Sequence, residues 1–466
     1  MQNSSRPPRP SEGEVNFSER RRHWSAANID GETRALLDAD AEVFLHQSVS
    51  TPCLSAIRRA EGIWIEDTQG RRYMDFHGNS VHHIGYGHPR LKAAIARQMD
   101  ELPFAPRRFA CRPALDLAEK LRDITPAGLD KMLFTTGGSD AIEVALKIAR
   151  MATGRFKTLS FWDAFHGAGF GASSVGGEQL FRGGGIGPLL TGAEHVAPFA
   201  CYRCPYGYPD LSRQPKLEIC QTACANYLRY VLEKEGDIAA VIAEPLRAVP
   251  YLAPPGFWPA VRQACDDAGT LLIFDEIPTG LGKSGRMFAC EHEGVTPDIL
   301  VLGKSLGGGI LPIAAAICRA ELDRAGDFAI GHYTHEKNPV TARAALTTLQ
   351  IIEDEDLVAR AARLGDDALA MLQNDTAGLA SVGEVRGRGL ILGIELVQER
   401  GSKTPADDLA EAVYYRCLDE GLSFKITMGN VLTLSPPLTI DEADLRRALS
   451  VVTAAIAAES RTAGLL

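Results

Sequence analysis

The sequence predicts an α/β protein whose mostly parallel sheet is flanked by helices, joined to a smaller α+β C-terminal domain. Between residues 90 and 330, apolar runs of strand length alternate with amphipathic helical patterns, as repeated βαβ units do. The chain has 466 residues, 45% of them hydrophobic, and 45 glycines, so it can form two cores with many tight turns.

The N-terminal segment is polar and proline-rich. It lacks the apolar core of a secretory signal, and we expect roughly its first twenty residues to be disordered. Residues 62–89 then alternate apolar and polar positions around the turn sequence 68–70, which predicts an antiparallel hairpin before a Gly/His-rich loop. We therefore assign residues 1–89 to a disordered tail and a hairpin segment.

The large domain is predicted to span residues 90–345. A helical pattern over residues 140–152 lies between apolar runs, and parallel strands need such crossover helices on the faces of their sheet. The predicted strands of this domain are 131–136, 159–162, 239–245, 270–276 and 298–303.

The small C-terminal domain is predicted to span residues 346–466. A long amphipathic helix is expected to start near Pro339, a residue suited to a first helical turn, and to continue to about residue 373. The elements predicted after it are strand-like segments at 384–397 and 430–436 and helices near 406–419 and 441–459.

Composition argues against several partners. The net charge is −10, and no stripe of lysine and arginine with interleaved aromatic residues is present, so neither nucleic acid nor an acidic membrane surface is expected. No apolar run approaches the ~20 residues of a membrane-spanning helix. We expect a cytoplasmic protein that acts on a small molecule.

Four of the ten cysteines form the pattern C-x2-C-x15-C-x3-C: Cys201, Cys204, Cys220 and Cys224. This spacing resembles zinc sites, although the second pair is one residue wider than the common knuckle. In a cytosolic chain the favoured interpretation is reduced cysteines that pack, so no metal is predicted, and zinc stays as the alternative.

A lysine and an aspartate follow two predicted strands. Asp275 ends the apolar run LLIF, and Lys304 follows the run ILVL at the start of a glycine-rich loop. Pyridoxal-phosphate chemistry needs a lysine amine that forms a Schiff base with an aldehyde, and a carboxylate that keeps the pyridine nitrogen protonated. The apolar flanks of Lys304 predict a buried side chain rather than a surface one.

A possible phosphate-binding turn and an aromatic residue accompany this pair. Gly137, Gly138 and Ser139 open a predicted helix, whose free N–H groups suit a phosphate. Phe165 and His166 directly follow a strand, where an aromatic ring could stack on a pyridine or simply pack in the core.

Two other phosphate motifs fail their context tests. The GKS sequences at 282–284 and 303–305 lack the earlier glycine of a P-loop, since Ile277 and Asp298 stand in its place. The G-x-G-x-x-G match at 280–285 precedes a poor helix, so it is not a dinucleotide site.

With these motifs in order over about residues 40–460, the chain resembles the class III aminotransferase family of fold-type I pyridoxal-phosphate enzymes. The resemblance implies that Lys304 forms the Schiff base and moves the proton, and that Asp275 pairs with the pyridine nitrogen. It also implies that Gly138 and Ser139 bind the phosphate of pyridoxal 5′-phosphate.

The same resemblance assigns four further cofactor contacts. Phe165 would stack on the ring with His166 beside it, and Glu244 matches the Glu-Pro motif of the family. Thr334 matches a threonine that binds the phosphate of the neighbouring subunit's cofactor. This implies a homodimer with shared active sites.

Three positions depart from members of the family that use amino acids. Thr433 stands where many of them carry an arginine that clamps the substrate carboxylate, and Val249 stands where they carry a gating glutamate. Pro278 replaces the glutamine of DE-x-Q-TG. Because threonine cannot form the bidentate carboxylate pair of arginine, the usual amino-acid clamp is not expected.

More narrowly, the chain resembles the (R)-1-hydroxy-2-aminoethylphosphonate ammonia-lyases of this family, in stretches such as SFWDAFHGA, IAEPLRAVPYLAPPGFW and GLSFKITMGNVLTLSPPLTI. That resemblance implies a lyase that forms phosphonoacetaldehyde and ammonia in phosphonate catabolism. An ω-aminotransferase that uses an oxo acid such as pyruvate is the alternative, and a racemase or epimerase is the second. The anionic substrate needs cationic partners, and the candidates are Arg247, Lys337, Arg107 and Arg108, each of which could equally form a salt bridge.

Overall fold

The computed structural model describes residues 18–48, 50–209 and 217–465. The tail predicted to be disordered falls mainly on residues 1–17, which lie outside the described residues. Among the described residues, no helix is both long and apolar enough to cross a membrane.

The chain divides into two compact units. The larger unit comprises residues 79–84 and 89–361. The smaller unit comprises the described residues up to 78, residues 85–88 and the described residues from 362 onward. The predicted domain ranges 1–89, 90–345 and 346–466 remain predictions.

Helices and strands alternate along most of the chain. The α-helices are α1 Glu19–Asn28, α2 Gly31–Val43, α3 Pro89–Glu101, α4 Arg112–Ile124, α5 Gly138–Thr153, α6 Phe170–Val175, α7 Leu217–Cys220, α8 Ala223–Glu235, α9 Phe257–Ala268, α10 Pro339–Asp354, α11 Leu357–Thr376, α12 Asp407–Asp419 and α13 Glu442–Thr462. The strands are β1 Ile57–Glu61, β2 Trp64–Asp67, β3 Arg72–Asp75, β4 Lys131–Thr135, β5 Lys157–Phe161, β6 Ala193–Val196, β7 Ile238–Ala243, β8 Leu246–Arg247, β9 Tyr251–Leu252, β10 Leu271–Asp275, β11 Ile299–Leu302, β12 Ala314–Cys318, β13 Val382–Arg388, β14 Ile391–Leu396, β15 Leu422–Ser423, β16 Lys425–Thr427 and β17 Val431–Leu434.

The larger unit is built on a seven-stranded sheet in the order β4-β12-β11-β10-β7-β5-β6. Strands β11, β10, β7, β5 and β6 are parallel to one another, whereas β12 is antiparallel to both β4 and β11. Every residue of β7, β11 and β12 is buried, as expected for strands covered on both faces. The predicted α/β class with a mostly parallel sheet is confirmed.

Helix α5 packs one face against this sheet. Its residues Ala141, Ala145 and Ile148 recur at helical spacing and are buried in one cluster with Ile273 and Val301 of the sheet. Small side chains on that face let the helix approach the strands closely. The packing fixes the position of the α5 N-terminus relative to the ends of β10 and β11.

The single helix predicted from Pro339 to about residue 373 is wrong. Helix α10 ends at Asp354, and α11 begins at Leu357. Between them Asp356 has a φ of +49°, a left-handed conformation that aspartate tolerates better than most residues. The amphipathic pattern continues across this break, which is why periodicity alone predicts one helix.

The smaller unit contains two four-stranded sheets, in the orders β1-β2-β3-β15 and β13-β14-β17-β16. The predicted hairpin corresponds to β2 and β3, which pair antiparallel. Helix α1 packs on α12 of the same unit, where Trp24 Nε1 donates a hydrogen bond of 2.8 Å to Asp419 Oδ1. The N-terminal helices and the C-terminal strands and helices therefore belong to one folded unit.

Candidate functional site

Two neighbouring parallel strands deliver the predicted lysine and aspartate to one edge of the large sheet. In the ladder of β10 and β11, Asp275 lies opposite Val301. Lys304 follows three residues after Val301, once β11 has ended. Ligands of α/β proteins bind at such carboxyl ends of parallel strands, so this edge is the candidate active site.

Asp275 is held by two hydrogen bonds in a buried position. His166 Nδ1 lies 2.8 Å from Asp275 Oδ2, and the Ile277 backbone N–H donates to Asp275 Oδ1 over 3.1 Å. The roles in the first contact depend on the histidine tautomer: with the proton on Nδ1, His166 donates to Asp275 Oδ2. The contact orients a buried carboxyl group, which is the group that a protonated pyridine nitrogen requires as a partner.

Lys304 is partly buried rather than fully buried as its apolar flanks predict. It opens the 3-10 helix Lys304–Gly307 with a φ of +44°, which is uncommon for a residue other than glycine. A Cβ at the preceding Gly303 would lie 3.2 Å from Ala314 Cβ and 3.3 Å from Ile277 Cγ2. The loop is thus packed closely on the side of Gly303. The unusual φ of Lys304 is a feature often found at functional positions.

The turn before α5 forms a cradle that suits a phosphate. Gly137 caps the helix without a side-chain hydrogen bond, so the first N–H groups of α5 are not taken by a cap. Ser139 Oγ accepts a hydrogen bond of 3.0 Å from the Ala168 N–H. A Cβ at Gly138 would lie 2.9 Å from Ile277 Cδ1, so a larger residue there would have to displace the end of the Ile277 side chain.

The aromatic candidate lies on the segment after β5, which contacts this cradle through Ala168. Phe165 is partly buried, and its ring centroid is 4.4 Å from that of Phe181. His166, the next residue, makes the hydrogen bond to Asp275 described above. Gly167 has a φ of +130°, and a Cβ there would lie 2.5 Å from Ser139 Oγ. The segment after β5 is therefore joined to both the aspartate and the phosphate cradle.

Glu244 and Arg247 form a buried cluster after β7. Glu244 Oε2 accepts a hydrogen bond of 3.0 Å from the Ala248 N–H, and Glu244 Oε1 lies 4.0 Å from Arg247 Nε. Arg247 Nη2 donates to the Asp163 carbonyl oxygen, and the guanidinium lies 5.6 Å from the ring centroid of Tyr251. Only 3% of the Arg247 surface is exposed.

The remaining predicted contacts lie in two segments that touch each other. Arg107 Nη2 is 2.6 Å from His332 Nε2, and Cys111 Sγ donates to the Lys337 carbonyl oxygen over 3.5 Å. The side chains of Thr334, Lys337 and Arg108 are exposed. In the described part of the chain, no hydrogen bond or ion pair links the side chains of Arg107, Arg108, Thr334 or Lys337 to Asp275 or Lys304.

Two residues of the site escape sequence reasoning. Ile277 would contact a Cβ at either Gly138 or Gly303, so its side chain fills the space between the phosphate cradle and the lysine loop. His83 is fully buried, and its Nε2 lies 3.2 Å from the carbonyl oxygen of Gly280 in the loop after Asp275. The sequence marks the His83 segment only as a Gly/His-rich loop.

Glu276, beside Asp275, is also buried and stabilises the local turn. Its two oxygens accept hydrogen bonds of 2.6 Å and 2.8 Å from the Ala289 and Cys290 N–H groups. Burial outweighs these bonds and raises the pKa of Glu276 to about 7. The two adjacent carboxyl groups thus differ in their contacts: Asp275 faces the candidate site, and Glu276 holds the backbone of the loop at Ala289 and Cys290.

The positions that depart from the amino-acid-using pattern are apolar or neutral in the structure. Thr433 is buried in β17, where its Oγ1 shares a hydrogen bond of 2.8 Å with Thr427 Oγ1. Val249 is buried in the turn between β8 and β9 of the larger unit. Neither position carries a charge that could bind or gate a substrate carboxylate.

A strand-end lysine and aspartate beside a phosphate cradle define a pyridoxal-phosphate enzyme, and the comparisons specify which. The model of the class-III aminotransferase family matches residues 46–456, and the chain belongs to this family.

The chain is 46% identical over 459 residues to an (R)-1-hydroxy-2-aminoethylphosphonate ammonia-lyase from Vibrio splendidus, covering 96% of this chain and 95% of that protein. It is 36% identical to a leucine/methionine racemase from Thermococcus litoralis, covering 86% and 90%. The crystal structure of an omega transaminase from Pseudomonas jessenii in complex with PMP superposes with a TM-score of 0.86 at 30% identity, covering 92% and 99%.

These matches confirm the predicted family, the fold-type I architecture and the cofactor, pyridoxal 5′-phosphate. The residues at the sheet edge fit this group. Asp275 would hold the pyridine nitrogen, Lys304 would reach the aldehyde, and the α5 N-terminus with Gly138 and Ser139 would hold the phosphate. The individual contacts remain predictions.

Replacing Lys304 by alanine should abolish turnover, by at least about a thousandfold, because Lys304 is the amine that follows the end of β11 and would form the Schiff base. The visible absorption band of the lysine-bound cofactor should disappear from the purified protein. Lys92→Ala, at an exposed position of α3, is the matched control and should keep both. Retained turnover in Lys304→Ala would refute the assignment of this lysine.

His83 should reduce the stability of the protein as the pH falls from about 7 to 5, whereas Glu276, with its raised pKa, acts in the opposite direction over this range. Burial, with the nearby charge of Lys283, lowers the pKa of His83 well below its usual value. The unfolded chain therefore binds a proton at His83 that the folded chain does not, and acid favours unfolding. His83→Gln should show a smaller drop in the urea midpoint over this range than the wild type. An equal drop in both proteins would contradict the contribution of His83.

Proposed function

We propose that this protein is an ammonia-lyase that converts (R)-1-hydroxy-2-aminoethylphosphonate to phosphonoacetaldehyde and ammonia. The main support is the 46% identity to such a lyase along 96% of the chain. Further support comes from Thr433 and Val249, which stand where amino-acid-using members have a carboxylate clamp and its gate. An elimination consumes no oxo acid, so it needs no such clamp.

A phosphonate would find a suitable partner in Arg247. This buried guanidinium makes one hydrogen bond to the Asp163 carbonyl oxygen, and its Nε has no hydrogen-bond partner among the described residues. The nearest carboxylate oxygen, on Glu244, is 4.0 Å from that Nε. Guanidinium groups bind phosphonate-like anions through several N–H donors, so a dianion would satisfy the remaining ones.

The reaction can be assigned to residues of the site. When bound, the pyridoxal cofactor withdraws electrons from the carbon that carries the substrate amine. Asp275, oriented by His166, keeps a proton on the cofactor's ring nitrogen. The Lys304 Nζ removes a proton from the aminomethyl carbon and returns one to the hydroxyl oxygen, which leaves as water. Water then adds to the released enamine, giving phosphonoacetaldehyde and ammonium.

An ω-aminotransferase is the second candidate, and the likeness to the Pseudomonas jessenii transaminase favours it. A racemase or epimerase is the third, supported by the Thermococcus litoralis relative. All three reactions share the first proton removal by a lysine and differ in where the proton returns. The position of that return distinguishes elimination, amino transfer and inversion.

We also propose that the enzyme is a cytoplasmic homodimer with shared active sites. The exposed side chain of Thr334 supports this proposal, because it is available to a neighbouring subunit. In that arrangement Thr334 would contact the cofactor phosphate of the other subunit.

With the hydroxylated aminophosphonate and no oxo acid, the enzyme should release ammonia over many turnovers. The reason is that elimination regenerates the aldehyde form of the cofactor, whereas amino transfer consumes it. Ammonia and phosphonoacetaldehyde are measured against enzyme concentration. At most one turnover, with activity restored by pyruvate, would contradict the lyase and support the aminotransferase.

Replacing Arg247 by glutamine should raise KM for the phosphonate by about 10- to 100-fold, because a charge-assisted contact to the dianion is lost. Arg108→Gln, at an exposed position, is the control for loss of one positive charge. Steady-state kinetics are measured with the phosphonate substrate and with an analogous amine that lacks the phosphonate group. If Arg247 binds the phosphonate, the rise in KM should occur only with the first. If the two variants raise KM equally, Arg247 does not bind the phosphonate.

A further inference from the structure

Four cysteines of the larger unit come together, and none of them belongs to the residues assigned to the cofactor site. Cys201 opens the 3-10 helix Cys201–Arg203, and Cys204 directly follows it. Cys220 ends helix α7, and Cys224 lies in the first turn of α8. The two pairs of the sequence pattern are therefore placed on separate turns, which is how zinc-binding pairs are presented.

All four of these cysteines line one small cavity. Its volume is about 30 Å³, enough for a single ion or water molecule. The rest of its wall is formed mainly by prolines and aromatic residues, including Phe199, Tyr206 and Pro254. An apolar wall strengthens the attraction between thiolates and a cation, because water screens it less.

These cysteines do not behave as core residues. All four are partly exposed, in contrast to Cys265, Cys290, Cys318 and Cys417, which are buried. Reduced cysteines that serve only packing belong to the most buried residue types. The packing interpretation favoured by the sequence therefore explains the second group better than the first.

We propose that Cys201, Cys204, Cys220 and Cys224 bind one Zn²⁺ ion as four thiolates. Four sulfur ligands suit the tetrahedral geometry of structural zinc, and the ion would join the turn after β6 to the start of α8. On binding, the thiol protons pass to solvent and four S–Zn bonds form, so no oxidant or reductant is needed.

The side chains must rotate to reach the ion. In the described part of the chain, no three His, Cys, Asp or Glu side chains are already arranged to hold a metal. A change of χ1 rotamer moves a cysteine sulfur by roughly 3 Å, which is comparable to the width of the cavity. When no cation is present, nothing draws the four thiols together, so the metal-free arrangement is expected to be open.

The experiment uses the full-length holoenzyme, purified under reducing conditions and treated with a chelator. Zinc is titrated against a competing chromophoric chelator, and cobalt is used in parallel because tetrahedral cobalt thiolates absorb at longer wavelengths than the cofactor. The variants are Cys201→Ser and Cys220→Ser, one from each pair, with Cys53→Ser as the control for a partly exposed thiol elsewhere. Cofactor absorbance reports folding independently of the metal.

The wild type and Cys53→Ser should bind one zinc per chain, show the cobalt thiolate bands and unfold at a higher temperature with zinc than without. Each cluster variant should bind at least about tenfold more weakly and lack the bands. Absence of the bands in the wild type, or equal affinity in all four proteins, would overturn the proposal. Because no cluster residue belongs to the cofactor site, these results do not depend on which reaction the enzyme catalyses.

Discussion

The buried hydrogen bond between His166 and Asp275 is the constraint on which the active site depends. A carboxylate taken out of water is costly unless its oxygens are satisfied, and here one accepts from an imidazole and the other from a backbone N–H. In the arrangement we propose, the remaining capacity of the carboxylate would serve the ring nitrogen of the cofactor. The strand ends, the α5 N-terminus and the lysine loop are then arranged at the same edge of the sheet.

The sequence predicts much of this arrangement because its patterns are local. Apolar runs mark β7, β10 and β11, and the residues that follow them supply Asp275 and Lys304. The strand β12 is not predicted, because a short apolar run without alternation is compatible with either a strand or a buried helix. The break at Asp356 is not predicted, because the amphipathic pattern continues across it. Helices α1 and α2 are also missed, because their polar composition resembles that of a disordered segment.

The supporting residues are harder to predict than the ones that perform chemistry. His83 and Ile277 act through contacts with residues far away in sequence, and nothing in their own neighbourhood indicates those contacts. Thr433 and Val249 are a different case. These neutral side chains indicate a change of substrate only when they are compared with the charged residues that other family members carry at the same positions. A change of reaction within one fold can therefore rest on residues that are inconspicuous in isolation.

The sequence separation of the site residues has a consequence for the order of assembly. The loop from Lys304 to β12 is a short connection between adjacent strands, whereas His166 and Asp275 are 109 residues apart. Contacts between residues that are far apart in sequence tend to form late in folding, because more of the chain must be ordered before they form. The lysine can thus be in place while the anchor for the ring nitrogen is still missing. Tight binding of the cofactor would then require a completed central sheet. The rate at which refolding protein gains tightly bound cofactor would therefore report the folding rate of the larger unit.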